Sequence, residues 1–328
     1  MSIKFNRRRF FKDSLLASAS AAGVAPAAGL GAPAEPPAAP GAGRVVAGAK
    51  GTLPTGKLGK LTVSRLISGG NLISGWAHSR DLHYVPALMR AYNTEQKVMD
   101  TLQLMEELGI NTIIADPRKK PMDIFARYWK ERGGRIQWIA EGHPEVDDWQ
   151  TNLKQSIDFG AAGVYVQGVK SDRFYKDGRL ELLAKCVQFI KAQGVAAGIG
   201  AHKLEVISAA EQQNLGAQFY VKTLHHNNYW SCRRPDQQAD VIENPADNYW
   251  DLEPDKTIRF MQEVPRPWIA FKVLAAGAIR PESGFKYAFE NGADFICVGM
   301  FDFQVEQNAA LVRAILQQTQ NRLREWRG

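Results

Sequence analysis

Eight apolar runs in this sequence each finish on, or just before, a residue with chemical potential. The end residues are Asn71, Asp116, Glu141, Gln167, His202, Lys222 and Lys272, with a glycine-ended run closing at Gly299. Carboxylates and imidazoles can carry protons, and an ammonium can stabilise an oxyanion. A lysine whose pKa is lowered by burial can also act as an imine-forming nucleophile. The catalytic set expected from these positions is Glu141 and Asp116 with Lys222 and Lys272. Glu141 or His202 serves as base, and the two lysines stabilise an enolate.

Histidines gather at the same ends. His143 follows Glu141, His225 and His226 follow Lys222, and Glu205 lies three residues beyond His202. Donors from separate strand ends can meet on one divalent metal ion that steadies an enediolate. The expected ligand set is Glu141, His202, Glu205 and His225. The alternative for each histidine is a hydrogen-bonding role, since no tight ligand motif such as His-Glu-x-x-His occurs. No nucleotide cofactor is expected.

Side-chain alternation has a consequence for the lysines. Tyr220, Lys222 and Leu224 share one face of their run, opposite Phe219, Val221 and Thr223. A lysine is a poor occupant of a helix-packed outer face, so Lys222 is expected to point inward, and Lys272 likewise between Phe271 and Val273. A structural role, with the amine paired to Glu141 or Asp116, is the alternative.

The elements that must position these residues alternate strictly. Strands are expected at 65–71, 111–116, 136–141, 163–167, 195–202, 218–224, 268–275 and 294–299. Between them lie amphipathic stretches at 94–108, 122–132, 148–159, 180–193, 255–263 and 283–291, several stopped by glycine. This cadence predicts an α/β chain folded as a closed (β/α)8 TIM barrel, with all eight strand ends on one face. An open doubly wound sheet is the competitor. Two long connections, 72–93 and 227–253, would lie over that face. The second carries Asn228-Tyr229-Trp230 and Asn248-Tyr249-Trp250, aromatics suited either to stacking on a sugar ring or to pinning the loop.

Several segments resemble known families. Phe219-Tyr-Val-Lys222-Thr223 and Phe271-Lys272-Val-Leu-Ala-Ala-Gly-Ala-Ile-Arg280 are similar to the lysine segments of deoxyribose-phosphate aldolase and related class I aldolases. That resemblance implies an imine at Lys222 tuned by Lys272, although Leu224-His225-His226 replaces the usual Ser-Thr-Gly. Gly277-Ala-Ile, with the run from Gly292 to Met300, resembles the phosphate-holding end of many such barrels, where backbone amides cradle an anion. Tight strand exits explain the same glycines. Val63 to Asn71 resembles the opening strand of aldo-keto reductases, but no matching Asp/Tyr/Lys/His tetrad accompanies it, so hydride transfer is set aside.

The N-terminus differs from the rest. Asn6-Arg-Arg-Arg-Phe-Phe-Lys12 before an Ala-rich apolar stretch resembles a twin-arginine export signal, which implies the twin-arginine machinery as partner and a periplasmic or otherwise exported protein. The expected organisation is a signal over 1–30, an Ala/Pro/Gly-rich linker over 31–55 and one catalytic barrel over 56–328. The chain of 328 residues carries +7, and five Lys/Arg against two Asp/Glu in residues 1–43 leave +4 for the remainder. Those charges are dispersed, so nucleic-acid binding is not expected. Three cysteines far apart give no disulfide framework.

Together these features predict an exported enzyme acting on a small sugar-like or polyhydroxy carbonyl substrate through an enolate or enediolate. The reaction classes are isomerase, epimerase or aldolase-type lyase. Asn71, Gln167, His226, Tyr229, Trp230, Gly277 and Gly299 are the expected substrate contacts. A non-catalytic sugar-binding barrel is the rival.

Overall fold

The computed structural model describes residues 44–79, 82–234, 236, 250–319 and 322–328. The expected signal, most of the linker and Tyr249 lie outside the described residues.

Eight parallel strands close into a barrel, each paired with the next in sequence and the last with the first. They are β3 (Leu66–Gly69), β4 (Thr112–Ala115), β5 (Gln137–Gly142), β6 (Gly163–Val166), β7 (Ala196–Ala201), β8 (Phe219–Thr223), β9 (Trp268–Phe271) and β10 (Phe295–Val298). Closure removes the open-sheet alternative. An additional antiparallel hairpin, β1 (Thr55–Leu58) with β2 (Leu61–Ser64), precedes them. Its Leu58 and Val63 pack into the barrel interior with Ile67, Phe219 and Phe295, so the hairpin plugs the end where the strands begin.

The helices follow from local signals. Helix α3 (Glu95–Glu107) begins where the Thr94 hydroxyl accepts the Lys97 amide at 3.2 Å, and it stops at Gly109, which takes a φ of 87°. Helices α4 (Lys119–Arg132), α5 (Thr151–Phe159), α7 (Leu180–Ala192), α8 (Leu204–Gln212), α9 (Pro254–Glu263), α10 (Pro281–Glu290) and α11 (Asp302–Gln318) complete the outer ring. Three further helices fall in expected loops: α1 (Asn71–Ser74), α2 (Val85–Tyr92) and α6 (Gly168–Lys176). No helix among the described residues is long and apolar enough to cross a membrane.

Alternation divides the strand residues between two cores. Ile67, Ile114, Ile139, Tyr165, Phe219, Val221 and Ile269 fill the interior, while Leu66, Ile113, Trp138, Val164, Tyr220 and Trp268 pack against helices. Two glycines on β7 make the interior fit. A Cβ on Gly198 would sit 2.5 Å from the Phe219 ring, and one on Gly200 2.7 Å from the Tyr165 ring.

The end away from the strand exits is fastened by charge. Buried Asp294 accepts the Trp268 amide at 2.9 Å and the Arg327 amide at 2.8 Å, and pairs with the wholly buried Arg324 guanidinium. Arg324 also donates to the carbonyls of Val264 at 2.9 Å and Arg266 at 2.6 Å. Arg65 donates to the Asp294 and Gly328 carbonyls and lies 4.0 Å from the Trp326 ring centre. Removing one partner of a buried pair leaves an uncompensated charge, which costs about 3–5 kcal/mol. Arg324→Met is therefore expected to lose stability on that scale in urea unfolding. Lys154→Met, which breaks an exposed pair with Asp158, is expected to cost under about 0.5 kcal/mol.

Candidate active site

The strand exits bring Glu141, Asp116, Tyr165, Lys272 and His202 to one opening. Glu141 follows Ile139 on the inward face of β5 and stands in register with Tyr165 of β6, whose hydroxyl donates to it. Burial and the nearby Asp116 charge raise the Glu141 pKa to about 7, opposed by the Tyr165 hydroxyl and the Lys272 ammonium. At neutral pH this carboxyl therefore exists in both protonation states. Cys297, inward on β10, has its thiol pushed up by burial and by Glu141.

Asp116 is held by several donors. The Ser74 hydroxyl lies 2.5 Å from Oδ1, Trp76 Nε1 3.3 Å from Oδ2 and Arg118 Nε 3.1 Å from Oδ2. The Arg118 guanidinium also covers the Trp76 ring at 4.4 Å. Asp116 thus anchors the start of the first long connection and supplies the negative field that acts on Glu141.

Strand β9 ends at Phe271, four residues earlier than expected, because Lys272 takes a left-handed φ of 58°. Phe271 holds the inward position, and the turned backbone returns the next side chain to the opening. Lys272 Nζ lies 2.9 Å from His78 Nε2, and Asn71 Nδ2 lies 3.1 Å from the same nitrogen. Both neighbours are donors, so that nitrogen accepts and the ring proton sits on Nδ1.

His202 follows β7 and forms a dyad that the sequence reading missed. Its Nδ1 is 2.8 Å from Oδ2 of Asp172 on α6, and the Asp172 carboxylate also accepts the amides of His202 and Lys203 at 3.1–3.2 Å. Burial lowers the His202 pKa; Asp172 opposes the shift, while Lys272 and Lys222 add to it. The ring packs 5.3 Å from Phe271. Helix α6 lies inside a stretch expected as loop, so the polar pair had no visible scaffold.

Lys222 is corrected. It lies on the outer face with Tyr220 and Leu224, because Phe219 and Val221 occupy the interior. The amine is fully buried, donates to the Thr223 carbonyl at 3.0 Å and lies 3.8 Å from Asp251 Oδ1. A lysine is tolerated there because the chain returning at Asp251 carries a carboxylate into the layer.

The four expected metal ligands do not share a centre. His225 donates from Nδ1 to the His226 carbonyl at 3.1 Å and accepts the Asp251 amide at Nε2 at 3.0 Å, which uses both ring nitrogens. Burial lowers its pKa to about 4. Glu205 points outside the barrel into a groove of about 260 Å³ with Ser208, Gln212 and Lys256. Among the described residues, no three His, Cys, Asp or Glu side chains gather as a metal site.

The expected substrate contacts separate. Asn71 is at the opening, whereas the Gln167 carboxamide caps α6 by accepting the Val169 and Lys170 amides. His226 sits at the rim, 2.9 Å from Ser283 Oγ. Tyr229 packs edge-on to His225 at 5.7 Å, while Trp230 is 93% exposed. The Gly277, Ala278 and Ile279 amides turn back onto the carbonyls of Leu274 and Ala275, so they close a turn rather than cradle an anion. Gly299 is exposed beside Leu72, and the start of α11 already carries the Asp302 carboxylate, bound by Tyr92 and Lys97.

No protein-family model matches this chain, and no curated protein matches it. Solved structures do. Two structures assigned as aldo-keto reductases of Pseudomonas aeruginosa are 17% and 16% identical, with TM-scores of 0.54 and 0.53. Each alignment covers 80% of this chain, and 96% and 94% of those chains. A truncated 3-deoxy-D-arabino-heptulosonate 7-phosphate synthase of Thermotoga maritima is 12% identical over 81% of this chain and 92% of that one, with a TM-score of 0.47. At the identities of the two Pseudomonas structures the likeness is one of fold, a (β/α)8 TIM barrel.

The perturbed carboxyl makes a stability prediction. Folded Glu141 keeps its proton to about pH 7, against an ordinary 4.5. Its contribution is complete below the ordinary value and is lost as pH rises to 7, a cost of at most roughly 3 kcal/mol once the half-buried carboxylate is ionised. Glu141→Gln is expected to equal the parent protein near pH 4 and to exceed it by up to that amount near pH 8. Urea unfolding at both pH values checks this.

Proposed function

We propose that this protein is an exported TIM-barrel enzyme that moves a proton next to the carbonyl of a small polyhydroxy compound. The observation supporting it most directly is Glu141 at the opening, half-buried beside Asp116 and Tyr165 and within the field of the Lys272 ammonium. A carboxyl tuned near neutrality suits a general base that must later return the proton. The ammonium opposite suits the negative charge that develops on the carbonyl oxygen. His202, held by Asp172 and within the field of Lys272, offers a second proton carrier. Isomerisation or epimerisation uses these parts directly, and aldol cleavage uses the same enolate.

The imine route on Lys222 is not carried forward, because that amine is sealed on the outer face beside Asp251. The electrophile in this proposal is Lys272, since two of the four expected metal ligands, His225 and Glu205, are engaged elsewhere. Export by the twin-arginine route rests on Arg7-Arg8-Arg9-Phe10-Phe11.

The test is solvent-deuterium exchange at the carbon next to the carbonyl, followed by proton NMR with glyceraldehyde, dihydroxyacetone, ribose and xylose. Exchange is expected to rise with pH through about 7 as Glu141 ionises, then level off. Glu141→Gln should slow it by about 10²–10⁴, and Lys272→Met by about 10² or more. Lys222→Met should affect stability but not the rate per folded molecule. Failure to exchange any of these compounds, or full exchange by Glu141→Gln, would sink the proposal.

A further inference from the structure

Two donors from opposite ends of the sequence converge on a single acceptor in the opening. Lys272 Nζ and Asn71 Nδ2 point at one lone pair, His78 Nε2, at 2.9 and 3.1 Å. Asn71 stands at the exit of β3 and Lys272 at the exit of β9, so two separate strands of a rigid barrel fix the donors. The acceptor belongs instead to the connection between α1 and α2, not to a barrel strand. An ammonium and an amide focused on one point make the arrangement that an enolate oxygen requires. A charged donor also contributes more than a neutral one.

We infer that Lys272 and Asn71 form the oxyanion site of this protein and that His78 occupies it as an internal stand-in for the substrate oxygen. This inference rests on the reading of the opening as an enolising centre. It adds a direct oxyanion-stabilising role for Asn71 and a self-occupied resting state. A ligand carrying an anionic or strongly polarised oxygen must displace the imidazole before both donors can reach it. The ligand class is the enediolate-like one: small, planar, with a carbonyl or hydroxamate oxygen next to a hydroxyl. Its apparent affinity is reduced by the fraction of molecules in which His78 holds the site.

The experiment is an NMR titration of the full-length protein with acetohydroxamate, a planar enediolate mimic, near neutral pH. His78→Ala is expected to bind it about tenfold more tightly, the gain from removing a competing charge-assisted hydrogen bond. His78→Gln, whose carboxamide oxygen can still accept, should stay near the parent affinity. Lys272→Met and Asn71→Ala should each weaken binding at least tenfold, also in the His78→Ala background. In the parent protein, imidazole ¹⁵N shifts should place the His78 proton on Nδ1, and saturation with the mimic should move the Nε2 resonance. Unchanged or weaker binding by His78→Ala, or undiminished binding by Lys272→Met, overturns the inference. Binding is measured without turnover. A protein that binds in this pattern but exchanges no substrate proton would refute only the enolising reading.

Discussion

The closed interior of the barrel is the constraint on which the rest depends. Eight strands leave room for few side chains at each level, and β7 yields its space through Gly198 and Gly200. The Phe219 and Tyr165 rings lie across those glycines, which carries the Tyr165 hydroxyl to Glu141. Glu141 thereby becomes a half-buried carboxyl lined by ring, thiol and like charge. Its neighbours at the rim are treated differently. Asp116 is met by Ser74, Trp76 and Arg118, and Asp172 by two backbone amides and an imidazole. Three carboxylates within one end of a barrel thus occupy distinct environments, and separation of environments is what allows acid and base roles to coexist.

The fold was legible because its signals are local. Run length, glycine stops and the Thr94 cap each depend on a handful of consecutive residues; β4, β6, β7 and β8 fall within the expected spans, and β5 runs one residue past its own. The faces of the strands were also legible: Tyr220, Lys222 and Leu224 do lie together. Which face turned inward was not. A lysine is costly on an outer face only where that layer is apolar, and Asp251, twenty-nine residues away in sequence, brings a carboxylate into this one. Bulk was the better guide, since Phe219 and Val221 opposite a glycine-bearing strand are natural interior fillers.

The candidate site was legible only as a list of strand ends. Glu141, Asp116, Lys272, His202 and Asn71 are on it, but their partners are not. Asp172 rides on a short helix in an expected loop, and His78 meets Lys272 across 194 positions. Pairings of that kind depend on where connections fold back, which the period of hydrophobicity does not encode. The His/Glu cluster failed for a related reason. His225 is spent on the backbone that returns Asp251 to the barrel, and Glu205 opens a helix that faces away.

The two lysines show why position in a strand matters less than what closes around it. Lys222 is sealed with a carboxylate and a carbonyl, so its charge is compensated and unavailable. Lys272 sits where the backbone itself is unfavourable. Lys272, Ala275 and Ala276 all have positive φ, a conformation that costs a non-glycine residue about 1–2 kcal/mol. Strain of this sort persists only where surrounding structure over-determines it, and it concentrates at binding and catalytic sites. A regular continuation of β9 would have directed Lys272 outward, since Phe271 already faces the interior. The left-handed step is what converts a buried structural position, of the kind Lys222 occupies, into an ammonium presented at the opening.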